Sequence, residues 1–239
     1  MSRRQRFAAA VAGEARAFAP ILWDRLPELV RQPRSDWWSD PTVGQRMIAD
    51  AAAIALADAM FTFTAREAVR GALAAGAGGD EAIDALASGE AAVRGAELIA
   101  CVHEVADHAV VPVLPPPPLL CRDLGGDEPE PAEDAFSDLA LGFLRAGADA
   151  LAVHGTDADE VGAAVRRAAA IGELFQRPVL AICELDGAVS GWVHGGGEIG
   201  VASAAGEWPD RGGGVVITPG DVSGRWSAEQ LRRLGGGRP

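Results

Sequence analysis

Tyrosine is absent from this 239-residue chain, aromatic residues make up only 5% of it, and cysteine occurs three times. The first absence excludes any mechanism that needs a phenolic hydroxyl. The abundance of alanine and glycine that accompanies it fits a high-GC coding sequence as well as any functional cause. Cys101, Cys121 and Cys183 form an odd, widely spaced set with no CxxC pair. That pattern argues against a disulfide framework and for a reducing, cytoplasmic setting. Basic residues are also scarce, since 21 Lys plus Arg face 34 Asp plus Glu for a formal net charge of −13. Long-range repulsion then opposes a nucleic-acid backbone or an anionic membrane unless a local basic patch overcomes it. The weak clusters at Arg3, Arg4 and Arg6 and at Arg232 and Arg233 read instead as solvated faces of terminal helices. No apolar run approaches the ~20 residues of a membrane span. The N-terminal arginines lead into a stretch holding Glu14 and Arg16, unlike a secretory signal.

What is present is alternation. A helix over Arg3 to Gly13 is followed by a short buried strand, Phe18-Ala-Pro-Ile-Leu-Trp23. Asp40-Pro41 then supplies an N-cap and a first-turn proline for a helix through Ile54. Strand patterns recur at Ala57 to Phe63, Ala109 to Leu114, Asp149 to His154 and Pro178 to Cys183. Between them lie a helical region from Asp80 to His108, broken near Gly89 or Gly95, and helices at Glu133 to Ala146 and Asp157 to Phe175. Pro115 to Pro118 should end both ladder and helix, and the acid-rich stretch from Cys121 to Pro131 reads as a mobile lid. Gly191-Trp-Val-His-Gly-Gly-Gly197 reads as a surface loop whose flexible backbone would let N–H groups approach an anion beside His194. After Glu184 only two short strands are expected, near Glu198 to Ala202 and Gly213 to Thr218, with no room for full crossover helices. The expectation is a single α/β domain over residues 1–239, a TIM-like (β/α)8 barrel abbreviated or distorted in its last third.

The run Gly212-Gly-Gly-Val-Val-Ile-Thr-Pro-Gly-Asp221 followed by a helix from Ser227 places Asp221 at a strand tip, where parallel α/β folds carry their chemistry. It resembles the last strand of the uroporphyrinogen decarboxylase and cobalamin-dependent, coenzyme M type methyltransferase superfamily. Arg6-Phe7 and Gly13-Glu14 before Pro20-Ile-Leu-Trp23 resemble that family's opening helix and first strand, and Arg25-Leu-Pro-Glu28 resembles the end of its arginine-rich loop. Asp58-Ala-Met-Phe-Thr-Phe63 and Ala146-Gly-Ala-Asp-Ala-Leu151 are similar to two further strand segments.

The departures point away from porphyrinogen decarboxylation. Only Arg25 remains of two loop arginines, Ala65 after Thr64 stands at the family's aspartate, and its tyrosine is missing. In the methyltransferase branch a His-x-Cys pair and a later cysteine hold zinc, which activates a thiol. Here those positions read Ala181-Ile182-Cys183 and Pro219-Gly220-Asp221. The resemblance therefore implies a mixed-ligand zinc site of Cys183, Asp221 and Glu184. Strand-tip residues Arg25, Thr64 and His154 are the catalytic candidates, with His154 moving protons and His194 as an outer, cofactor-binding candidate. The implied activity is methyl transfer on a small thiol or a corrinoid-linked methyl group, the corrinoid entering as a partner-bound substrate, with decarboxylation the weaker variant. The rival reading is a non-catalytic relative acting as a binding or assembly partner, its shortened barrel covered by a second copy or another protein. His103 and His108, five apart, do not have the four-residue spacing of an HExxH pair.

Overall fold

The computed structural model describes residues 1–31, 40–185, 188–202, 209, 214–218 and 227–236. In chain order α1 (Arg3–Val11) leads into β1 (Ala17–Ala19), a 3-10 turn (Trp23–Arg25) and α2 (Leu26–Leu29), followed by α3 (Pro41–Ala55) and β2 (Ala59–Thr62). Three helices, α4 (Thr64–Ala74), α5 (Gly79–Asp84) and α6 (Glu90–Val105), precede β3 (Ala109–Leu114). Next come α7 (Pro117–Leu124), α8 (Pro129–Arg145), β4 (Leu151–Gly155), α9 (Ala158–Phe175) and β5 (Val179–Leu185). The last third holds β6 (Ala188–Val193), β7 (Gly200–Val201), β8 (Val215–Ile217) and α10 (Ala228–Gly236).

The helix boundaries follow from local chemistry. The Asp40 carboxylate accepts from Thr42 and Val43 N–H with Pro41 at the first helical position, and Asp157 accepts from Asp159 and Glu160 N–H. The proline run does not block a helix. Pro117 and Pro118 open α7, because the first-turn nitrogens have no intrahelical acceptor to lose. The segment expected to be a lid therefore begins inside α7. Its remainder is tied down by the Asp80 carboxylate, which accepts from Asp127 N–H at 3.1 Å and Glu128 N–H at 3.3 Å.

Five strands pair in the order β2-β3-β4-β5-β6, all parallel except β6, and three pair in parallel as β1-β8-β7. The larger sheet curls into half a barrel, so the fold is α/β with a dominantly parallel sheet. The antiparallel β6 corrects the expected glycine loop. Its Val189, Gly191 and Val193 are paired with β5, and a side chain at Gly191 would meet the Ala181 carbonyl at 2.7 Å. A two-residue connection cannot carry a parallel crossover, which is why β6 turns back on β5. At the sheet margins Asp58 N–H donates to the Phe18 carbonyl at 2.8 Å and Ile199 N–H to the Gly191 carbonyl at 2.8 Å.

One continuous apolar core runs from Phe7 to Leu234, with Phe7, Phe18, Phe61, Phe136 and Phe143 fully buried. Each such ring contributes about 2–3 kcal/mol by leaving water. Alanine faces let α9 lie close to β4 and β5, and α3 close to α6 and α10. Arg4 and Arg6 do not simply solvate α1. Arg6 donates to the buried Asp58 carboxylate at 2.8 Å, whose other oxygen accepts from Phe18 N–H at 2.9 Å. Arg4 Nε lies 3.3 Å from buried Asp149, which accepts from Val110 N–H at 3.0 Å. The N-terminal helix is thus bound to the end of the sheet where strands begin. Among the described residues no helix is long and apolar enough to cross a membrane.

Candidate functional site

At the opposite end, where strands finish, β-sheet register brings two predicted residues together. His154 on β4 lies directly across from Ile182 on β5. Directly opposed residues share a sheet face, and Glu184, two residues beyond Ile182, shares it too. His154 Nε2 and Glu184 Oε2 are accordingly 3.7 Å apart. That is longer than a direct hydrogen bond but close enough for a strong charge interaction.

The other half of the pocket comes from β1 and β2. Phe63, immediately after β2, presents its ring to His154 edge-on, with centroids 6.1 Å apart and planes at 81°. Arg66, one turn into α4, lies over the Phe63 ring at 4.8 Å and donates to Asp24 Oδ1 at 2.7 Å. Trp23 stands 6.5 Å from Phe63 and donates its indole N–H to Glu67 at 3.0 Å, and Glu67 also accepts from Arg70 at 2.9 Å. Trp23, Asp24, Phe63, Arg66, His154 and Glu184 border a cavity of about 50 Å³, with Ile21, Ile182 and Val189 completing its apolar wall, while Glu67 and Arg70 stand behind it. Burial pushes the His154 imidazole below its ordinary value, the Glu184 carboxylate opposes that and Arg66 adds to it. The imidazole is neutral at pH 7 and able to accept a proton.

The remaining candidates go elsewhere. Thr64 is the first residue of α4 and is fully buried against α6, where a side chain at Gly95 would meet Thr64 Cβ at 2.8 Å. Arg25 pairs with Glu28 at 3.0 Å and borders a separate cavity of about 360 Å³ with Leu22 and Leu231. His194 is exposed, and its N–H donates to the carbonyl of Val179, the first residue of β5, at 2.9 Å. It therefore sits at the far end of the sheet from Glu184, because β6 runs antiparallel. Asp221 lies outside the described residues, as do Asp186 and Trp37-Trp38.

Cys183 is buried and lies between Ile182 and Glu184 on β5, so its side chain takes the opposite face. Burial, followed by the nearby Asp157 charge, pushes its thiol above the usual range. A thiol whose ionisation is opposed by burial is not a ready nucleophile. Cys183 and Glu184 take opposite faces of β5, and among the described residues, which do not include Asp221, no group of three His, Cys, Asp or Glu side chains is arranged to hold a metal.

Reading the sequence missed Trp23, Asp24, Phe63 and Arg66 as site residues. The available signal was position: Asp24 follows the first strand and Arg66 opens the helix after the second, the same strand-tip logic that singled out His154. The helix at α4 was not recognised, and without it Arg66 had no place. A larger groove of about 440 Å³ between α4, α5 and α6 is lined by alanine and glycine, with the paired Glu90 and Arg94 as its charged groups. The chemistry-bearing side chains gather in the smaller cavity. Compared with known proteins, the chain matches no protein-family model and no curated protein.

Proposed function

We propose that the chain is a shortened, divergent relative of the uroporphyrinogen decarboxylase and corrinoid methyltransferase superfamily, and that the pocket around His154 is the active site of a small-molecule enzyme. The observation that carries this reading is the convergence of a neutral histidine, a carboxylate and a guanidinium in one apolar-walled cavity at the strand ends. Strand order supports a TIM-like arrangement: β1 pairs with β8, β8 with β7, and backbone hydrogen bonds join Asp58 to Phe18 and Ile199 to Gly191 at the margins of the two sheets. In this reading a hairpin through β6, which the sequence did not announce, stands where a crossover after β5 would be.

The chemistry is acid–base. His154 Nε2 takes a proton from a small acceptor, and Glu184 stabilises the imidazolium that results. Methyl transfer to such an acceptor is the reaction the family resemblance implies: the deprotonated acceptor attacks the methyl carbon of a partner-bound methyl corrinoid, the cobalt–carbon bond breaks with its electron pair left on the corrinoid, and His154 holds the proton until the product leaves. No step is assigned to zinc, since the thiol at Cys183 faces away from Glu184.

The test is methyl transfer from a methylated corrinoid to small thiol and amine acceptors, followed by the change in corrinoid absorbance. His154→Gln should lower kcat by about 10²–10⁴-fold, the usual contribution of a positioned acid–base group, while Cys183→Ala should leave it near wild type. An unaltered rate in His154→Gln, or abolition by Cys183→Ala, would overturn the assignment. The acid limb of the pH profile carries a second signature. Glu184 favours the charged imidazole, so Glu184→Gln should move that limb to lower pH.

A further inference from the structure

The charges around the pocket are not balanced. Asp24, Glu67 and Glu184 face two guanidiniums, Arg66 and Arg70. Arg66 is held by Asp24 at 2.7 Å with Glu67 at 3.8 Å, and Arg70 by Glu67 at 2.9 Å, so both cations are already neutralised. Among the described residues the Glu184 carboxylate has the neutral His154 as its titratable neighbour and no guanidinium. Among the described residues the cavity therefore carries one excess negative charge, on a Glu184 side chain that is partly exposed and partly set against apolar walls, where attraction for a cation exceeds its value in bulk water.

We infer that the site's ligand is a small primary amine bound as its ammonium ion, held by Glu184 and delivered to His154 for deprotonation. This rests on the acid–base reading of His154 and names the acceptor for it. Size agrees, because about 50 Å³ is a little under two water volumes of about 30 Å³ each, room for a ligand of two or so heavy atoms. The walls agree as well. Arg66 already lies 4.8 Å over the Phe63 ring, so this aromatic lining accommodates a cation. A carboxylate ligand would have to displace Asp24 from Arg66 while approaching Glu184. The transfer is balanced within the pocket: the ammonium N–H bond breaks, its proton moves to His154 Nε2, and the nitrogen keeps the electron pair it needs as a nucleophile.

Calorimetric titration of the full chain with methylammonium chloride and, separately, with sodium acetate tests the assignment. Methylammonium should bind saturably and acetate should not. Glu184→Gln should weaken methylammonium binding by about tenfold or more, the usual worth of a hydrogen bond to a charged group, and Glu184→Asp should keep part of it. Binding unchanged in Glu184→Gln, preference for acetate, or no saturable heat with methylammonium would each overturn the inference. Imidazole NMR of the same samples separates this from the underlying reading. A His154 that titrates below the ordinary range and falls further in Glu184→Gln, without amine binding, overturns the ligand alone. A His154 that titrates normally and ignores Glu184→Gln overturns the acid–base reading together with it.

Discussion

Two histidines are pushed below their ordinary range by burial, and only one borders the strand-end cavity. His154 is half-buried and faces Glu184. His108 lies at the start of β3, deeply buried, with Nε2 lacking a hydrogen-bond partner among the described residues. Its imidazole is lowered from 6.5 to about 4, chiefly by burial, with Asp107 opposing and Arg3 and Arg4 adding. Above pH 6.5 the group is neutral in both folded and unfolded chains and contributes nothing to pH dependence. As pH falls through 6.5 the unfolded chain takes up a proton that the folded one refuses, so stability is lost until pH passes about 4. The loss is about 2–3 kcal/mol by pH 4.5. Urea unfolding at pH 7.5 and 4.5 should show His108→Gln losing less stability between the two than wild type by about that amount. Equal losses would mean that His108 is solvated in the native state.

At the scale of elements, sequence reading was best where a side chain had a local backbone task. Asp40-Pro41 and Asp157 announced α3 and α9 because a carboxylate accepting from N2 and N3 N–H groups acts within three residues. It was weakest where a segment's form depended on what lay beside it. The helix α4 buries the polar Thr64 and Glu67 beside Ala65, Ala68 and Val69, so polarity along the sequence does not mark which of its residues turn inward. Gly191 in β6 reads as loop until the adjacent β5 backbone is seen to need its missing side chain. One boundary carries an avoidable cost. The C-cap of α9 is Gln176, exposed and left-handed at φ 55°, a conformation that burdens a side chain by about 1–2 kcal/mol relative to glycine. Gln176→Gly should stabilise the chain by about 1 kcal/mol and raise Tm by about 2–4 °C in a thermal melt. A lowered Tm would show that the Gln176 side chain has a role beyond the cap.

For the whole molecule, the two ends of the sheet divide the labour. Where strands begin, Asp149 gathers Val110 N–H, Arg4, His103 at 3.7 Å and Arg177 at 3.8 Å, binding α1, α6 and the β3–β5 strands into one base. Removing that carboxylate leaves buried donors without an acceptor. Asp149→Ala should cost about 2–4 kcal/mol in urea unfolding, with Asp149→Asn milder because it still accepts from Val110. A neutral Asp149→Ala would show that α1 docks through apolar contacts alone. The sequence by itself determined the α/β alternation, the capped helices and the placement of His154 and Glu184 at strand ends, because caps and apolar periods act over a few residues. It also pointed to Cys183 and His194 as partners of that site. Only tertiary structure decided otherwise: strand pleating turns Cys183 to the opposite face from Glu184, and the reversal of β6 carries His194 to the far end. The same folding brings Asp24 to Arg66 and Phe63 to His154 across 42 and 91 residues of chain. Sequence distance carries no record of such contacts, since they exist only once the β1, β2, β4 and β5 ends surround a common cavity.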